Sequence, residues 1–167
     1  MQDHYTSTSQ IYADMNYSNT DVNIFAETRF SELDNDNLYL MSNDKYRLFR
    51  NDAPPGHTQN IRPFGSTAVY SSLDSYPGYP YCANRNGVEI TIMRFMISPH
   101  VTVVGIYRSP AVSIELLCTA LRETLETLQT QFSIIMRDFN VNWLNNSQQT
   151  PLYNLLISDN GYRQLVS

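Results

Sequence analysis

The sequence predicts an α/β or α+β fold in which two sheets form a sandwich flanked by helices. Its 167 residues fit one domain. Short apolar runs that are typical of strands recur through the first two thirds of the chain, and helical spacing becomes clear only later. A hydrophobic share of 42% and 12 tyrosines provide enough apolar surface for a buried core.

Three short strands are expected in the first half, at residues 21–26, 46–50 and 66–71. The second is followed by Asn, Asp, Pro and Gly at residues 51–56, a strong loop signal. Residues 74–87 are rich in Tyr, Pro and Asn, which predicts a long surface loop. Its tyrosines could stack on single-stranded bases, although no basic stripe accompanies them.

The second half combines strands with helices. Residues 88–97 alternate between two faces, and residues 102–106 and 132–136 are apolar enough for buried strands. Ser113 is expected to cap a helix. The apolar stripe of that helix is Ile114, Leu117, Cys118, Leu121, Leu125 and Leu128. A short helix at residues 150–158 should end at Asn160 and Gly161.

Charge and cysteine content exclude several classes of protein. With 11 basic and 16 acidic residues, the net charge of -5 argues against a protein held to nucleic acid mainly by phosphate neutralisation. A metalloenzyme is compatible, since bound cations offset carboxylates. Two cysteines are too few for a disulfide framework or a zinc site. We expect Cys118 to be a buried thiol and Cys82 to lie in a loop without a chemical partner.

The location expected from the sequence is intracellular and reducing. No apolar run approaches the roughly 20 residues that a membrane span requires. Residues 1–19 are polar and lack the apolar stretch of a signal peptide.

Two acids directly follow apolar strands, Glu27 and Asp138. Ligands commonly gather at strand ends in α/β sheets, and magnesium is usually bound by one or two carboxylates. Asn140 should project to the same side as Asp138 if the strand continues. Spacing alone leaves the alternative that all three are ordinary polar residues bonded to loop backbone.

Four segments resemble, in order, the motifs of the endonuclease/exonuclease/phosphatase superfamily. Residues 22–30 (VNIFAETRF) resemble its strand and Glu-Thr motif, and residues 134–143 (IIMRDFNVNW) its Gly-Asp-Phe-Asn motif. Between them, residues 62–71 (RPFGSTAVYS) and 103–110 (VVGIYRSP) are similar to its Gly-Gly-x-Ala-Val-Tyr strand and its Tyr-Arg-Pro-Pro turn. The resemblance covers residues 21–166 and is strongest to endonuclease domains of non-LTR retrotransposons and Helitron-like elements.

The resemblance implies hydrolysis of DNA phosphodiesters with Mg or Mn. Glu27 would bind the metal, Asp138 would polarise or deprotonate the attacking water, and Asn140 would support the same site. Tyr107 would lie near the scissile phosphate, with a half-buried strand-end tyrosine as the alternative. Arg108 would contact a DNA phosphate or form an exposed ion pair.

We expect a nuclear monomer, and whether it was once joined to a reverse transcriptase or a helicase stays open. Two alternatives stay open. One is a phosphoesterase of the same superfamily acting on lipid or inositol phosphates, and the other is an inactive structural remnant. The sequence does not specify a DNA target.

Departures from the family pattern predict a fold that is incomplete at both ends, with a poorly defined segment 1–20 and a partial domain at 21–167. The family's first Asn has no clear match, and its final Asp and Ser-Asp-His are absent. His4, His57 and His100 stand outside that context. Arg137 replaces a Gly of the family, bringing bulk and positive charge next to Asp138. The isolated chain is therefore expected to nick DNA poorly or not at all.

Overall fold

A computed structural model describes residues 20–26, 28, 35, 45–52, 67–128, 132–142 and 146–165, with the backbone alone at residues 137 and 138. Its described part is a sandwich of a three-stranded and a four-stranded sheet, with helices on the outer side of the larger sheet. The predicted two-sheet sandwich is confirmed. The predicted N-terminal segment lies outside the described residues except for Thr20, and the boundary at residue 21 stays a prediction.

The smaller sheet contains the three strands predicted in the first half. They are β1 (Val22–Ala26), β2 (Arg47–Asn51) and β3 (Thr67–Ser71), all antiparallel in the order β1-β3-β2. The central strand, β3, is buried along its whole length.

The larger sheet has the order β4-β5-β6-β7. Its strands are β4 (Tyr81–Arg85), β5 (Val88–Phe95), β6 (Val101–Arg108) and β7 (Phe132–Asp138). Only β6 and β7 run parallel. Because a parallel pair needs a long crossover, the segment between these two strands contains a helix.

The prediction of a loop throughout residues 74–87 is wrong at its C-terminal end. Residues 81–85 form β4, which pairs with β5 in a hairpin closed by Asn86 and Gly87. Both turn residues have positive φ, 56° and 83°. Asn-Gly is the dipeptide that most favours this type of two-residue turn, so the signal was present in the sequence.

Two helices follow β6 in the described chain. Helix α1 (Ile114–Thr127) begins as predicted at Ser113, whose hydroxyl accepts a hydrogen bond from the Leu116 amide at 3.3 Å. Helix α2 (Asn146–Tyr153) continues as a π-helical segment (Asn154–Asp159). Gly161, at φ 69°, directly follows that end.

The two faces of the larger sheet contribute to different cores. Alternate residues of β5 and β6, among them Ile90 and Ile106, pack against both helices. The opposite face contributes Met93, Phe95 and Val103, which pack against Val69 of the smaller sheet. None of the described helices is long and apolar enough to cross a membrane.

Candidate active site

One row of the larger sheet contains three of the chemically important positions. Tyr107 on β6 is the register partner of Glu89 on β5 and of Asp138 on β7. Tyr107 and Glu89 are only 3% and 8% exposed. Tyr107 is therefore more deeply buried than the expected half-buried tyrosine.

At the same end of the sandwich, the smaller sheet has a row of register partners that includes two polar residues. Ala26, Thr67 and Asn51 are register partners on its three strands. The Thr67 hydroxyl is hydrogen-bonded to that of Thr91 across the two sheets, at 2.8 Å. Thr91 lies two residues along β5 from Glu89, so the two rows approach each other closely.

A glycine allows the smaller sheet to approach the larger one here. A Cβ at Gly105 would lie 3.0 Å and 3.1 Å from the Ile24 Cγ2 and Cδ1 atoms. Strand β1 also contacts β7. The C-terminal end of β1 therefore lies near the Tyr107 row. Glu27, the next residue, lies outside the described residues.

The condition on which Asn140 was expected to project beside Asp138, a strand that continues to residue 140, is not met. Strand β7 ends at Asp138, and Asn140 has a φ of 47°, which lies in the left-handed region. Asn tolerates that region better than most residues. Its side-chain Nδ2 donates a hydrogen bond to the carbonyl oxygen of Arg108 at 2.8 Å. The amide thus ties the chain that leaves β7 to the end of β6.

The prediction of an exposed role for Arg108 is also wrong, because the residue is only 4% exposed. Its guanidinium donates to the carbonyl oxygens of Phe139, Asn140 and Val112. A buried charge requires such compensation. Arg108 therefore fixes the segment after β7 rather than presenting a charge to solvent.

Cys82 is not the loop cysteine that was expected. It lies on β4, and its Sγ atom is 4.0 Å from the carbonyl oxygen of Arg50 on the smaller sheet. Desolvation raises the pKa of the Cys82 thiol, the charge of Asp52 adds to that rise, and a hydrogen bond with Thr91 opposes it. The thiol thus stays protonated at neutral pH. Cys118 is buried as predicted, and burial raises its pKa.

Sequence reasoning missed two residues at this end of the sandwich. Glu89 is the one acidic residue of β5 and lies two positions after the Asn-Gly turn, and an acid at this place in a largely apolar strand was the available signal. Asn51 appeared to belong to a loop. It ends β2, and its buried Nδ2 atom has no hydrogen-bond partner in the described part of the chain.

Among the described residues, no group of three His, Cys, Asp or Glu side chains could hold a metal ion. This does not test the predicted metal site directly. That set omits Glu27 and the side chain of Asp138. Oxygen donors suit magnesium, and the predicted acids and the buried Glu89 would supply them. The roles assigned to Glu27, Tyr107, Asp138 and Asn140 stay predictions.

Two solved structures are similar to this sandwich over most of the chain. One is the endonuclease domain of TRAS1, a telomere-specific non-LTR retrotransposon, with a TM-score of 0.57 and 14% identity over 90% of this chain. The other is the human Nocturnin catalytic domain with bound sulfate anion, with a TM-score of 0.54 and 12% identity over 94% of this chain. The chain has an endonuclease/exonuclease/phosphatase-type fold.

This endonuclease/exonuclease/phosphatase-type chain spans 65% of the TRAS1 domain and 68% of the Nocturnin domain. At such low identity the likeness establishes the fold, and activity needs its own evidence. No protein-family model matches the sequence, and no curated protein matches it either.

Proposed function

We propose that this chain is an endonuclease domain of a mobile element, or part of one, that hydrolyses DNA phosphodiesters with Mg or Mn. The observation that supports this most is the convergence of β1 and β7 beside Tyr107. Of the two motif acids, Asp138 is the last residue of β7, and Glu27 directly follows β1 in the sequence. The likeness to a retrotransposon endonuclease domain favours DNA among phosphodiester substrates.

The donor set fits a hard divalent cation. Glu27 would bind the ion, and magnesium in proteins typically takes one or two carboxylates with water and substrate oxygens. Glu89 adds a buried carboxyl group on the strand next to that of Tyr107. When bound, the ion would stabilise negative charge on the phosphate and on the leaving oxygen.

The chain's own residues would position and activate the other reactants. Asp138 would accept a proton from water as the water oxygen attacks phosphorus and the bond to the leaving sugar oxygen breaks. The Tyr107 hydroxyl and the Asn51 amide would donate hydrogen bonds to phosphate oxygens. Asn140 and Arg108 would act indirectly, because their mutual contacts fix the backbone that follows Asp138.

The test is nicking of supercoiled plasmid with and without Mg²⁺. We expect slow, Mg²⁺-dependent nicking that Asp138→Asn reduces at least 100-fold, because the substitution removes the base while keeping its shape. Arg137→Gly should increase nicking at least tenfold, because it restores the glycine that precedes the Asp in the motif that this segment resembles.

The matched control is Arg163→Gly, which removes an exposed arginine elsewhere and should leave the rate unchanged. Inositol phosphates and sphingomyelin are tested in parallel. Hydrolysis of either compound in place of DNA would contradict the proposal that DNA is the substrate. No nicking by the Arg137→Gly variant would contradict the proposed function.

A further inference from the structure

A cavity lies on the helix side of the larger sheet, the face opposite to the candidate active site. Its volume is about 340 Å³. Thr102 and Arg94, which are register partners, form part of its wall. Arg94 and Glu89 lie five positions apart on β5, so their side chains project from opposite faces of the sheet. The cavity and the candidate active site are thus on opposite faces of the sheet.

A buried hydroxyl in this cavity has no hydrogen-bond partner among the described residues. Thr102 is 2% exposed, lines the cavity, and its Oγ1 atom makes no hydrogen bond to any described residue. An unsatisfied buried hydroxyl costs roughly 1–3 kcal/mol of stability. A ligand oxygen in the cavity would remove that cost.

Two arginines give the cavity positive charge. Arg94 packs over the ring of Tyr76, 5.1 Å from the ring centroid, and its buried Nε atom has no hydrogen-bond partner in the described part of the chain. Arg85 also lines the cavity and forms an ion pair with Glu123, an exposed residue at the surface. A guanidinium with unused donors is well suited to a phosphate group.

Aromatic rings and a helix end form the rest of the wall. Tyr79 and Tyr81 line the cavity, and Tyr81 is 50% exposed. Thr127 and Leu128 stand at the C-terminal end of α1, where helix carbonyl groups attract hydrogen-bond donors. Flat rings favour stacking with a base, and the carbonyls favour a base that carries an amino group.

We propose that this cavity binds a nucleotide through one phosphate and one amino-bearing base. Arg94 and the Thr102 hydroxyl hold the phosphate, Tyr79 and Tyr81 contact the base, and the end of α1 accepts hydrogen bonds from its amino group. The cavity volume falls within the range of about 300–1,000 Å³ that is usual for small-molecule sites. The nucleotide could come from a free nucleoside monophosphate or from the end of a DNA strand, since both present these groups.

The experiment is titration calorimetry without Mg²⁺, using deoxyadenosine monophosphate, deoxyadenosine, inorganic phosphate and a short 5′-phosphorylated oligo-dA. We expect the monophosphate to bind at least tenfold more tightly than the nucleoside or phosphate. Arg94→Gln should weaken its binding at least tenfold, and the exposed control Arg163→Gln should not.

Thr102→Val gives a second test, in which melting temperature and nucleotide affinity are both measured. A purely structural role of Thr102 would not produce the combination expected here. Because the valine lacks the unpartnered hydroxyl, the ligand-free variant should melt at the same or a higher temperature, while its nucleotide affinity should fall. Tighter binding of the oligonucleotide would identify a strand end as the source, and tighter binding of the mononucleotide would identify the free ligand.

The proposal is overturned by the absence of nucleotide binding, or by binding that Arg94→Gln and Thr102→Val leave unchanged. Inorganic phosphate binding as tightly as the nucleotide would overturn the role of the base. The titration is also repeated with Asp138→Asn. The titration does not depend on catalysis, so an unchanged nucleotide affinity in this variant would separate this site from the proposed active site.

Discussion

Arg108 is the residue whose role differs most from the expectation based on its side chain. An arginine after an apolar strand suggests a surface charge, but this one is buried and bonded to three backbone carbonyl oxygens. A planar guanidinium can donate in several fixed directions at once, whereas an ammonium group is a compact point charge. The contacts therefore depend on the guanidinium shape as well as on charge.

This dependence can be tested with Arg108→Lys. The variant should be destabilised by about 2–3 kcal/mol, because hydrogen bonds that involve a charged group contribute roughly 1.5–3 kcal/mol each and lysine cannot replace them all. Chemical denaturation measures the loss, with the exposed Arg163→Lys as the matched control. Equal stability of the two variants would show that the guanidinium contacts contribute little.

The limits of sequence-based prediction are also visible at the residue scale. Apolar patterning located Asp138 at a strand end, because strand ends follow from local sequence, whereas Tyr107 was singled out only by resemblance to a family motif. The end of β7 before Asn140 was not foreseen, because the left-handed backbone at Asn140 accompanies a contact with Arg108, which is distant in sequence. Glu89 was missed because burial of an acid is decided by the opposing sheet rather than by its neighbours in the chain.

Among the elements, the β4–β5 hairpin shows that local turn chemistry can outweigh composition. Residues 74–87 contain many loop-forming residues, yet Asn86 and Gly87 provide the two positive φ angles that a tight hairpin needs. The partner strand, β5, is long and mostly buried. Pairing with β5 therefore stabilises β4 despite its weak strand propensity.

Both its backbone conformation and a close neighbour favour glycine at position 87. We therefore expect Gly87→Ala to lower the stability of the protein strongly. Alanine disfavours its φ of 83°, and the new Cβ would lie 2.6 Å from Val112 Cγ2. Left-handed backbone costs a residue other than glycine roughly 1–2 kcal/mol, and overpacking adds about 1–3 kcal/mol. The melting temperature should fall clearly, as a thermal scan by circular dichroism would show.

Gly161→Ala is the control for this prediction, because Gly161 also has positive φ, 69°, but a Cβ there would have no atom within 4 Å. The difference between the two variants isolates the clash with Val112. A smaller effect of Gly87→Ala than of Gly161→Ala would contradict the close packing of the hairpin turn against residue 112.

For the described molecule as a whole, the spacing between the two sheets matters most for the candidate site. Thr67 and Thr91 are hydrogen-bonded across the sandwich, while Gly105 lets Ile24 pack directly onto β6. The sequence predicted the strands but could not predict this contact, because it joins residues 81 positions apart through the packing of two sheets. The proposed site therefore requires the sandwich to close at Gly105.

Gly105→Ala should force the sheets apart and test that requirement. The added methyl would meet the Ile24 side chain at 3.0 Å, and overpacking of this kind costs about 1–3 kcal/mol. If the ends of β1 and β7 share a metal site, the variant should also bind Mg²⁺ more weakly, which titration calorimetry would measure. Ile24→Ala in the same chain relieves the clash, so the two substitutions together should destabilise less than the sum of their separate effects. If the destabilisations by the two substitutions were strictly additive, residues 24 and 105 would not be in steric contact. The spacing of the sheets would then have to be set by other contacts.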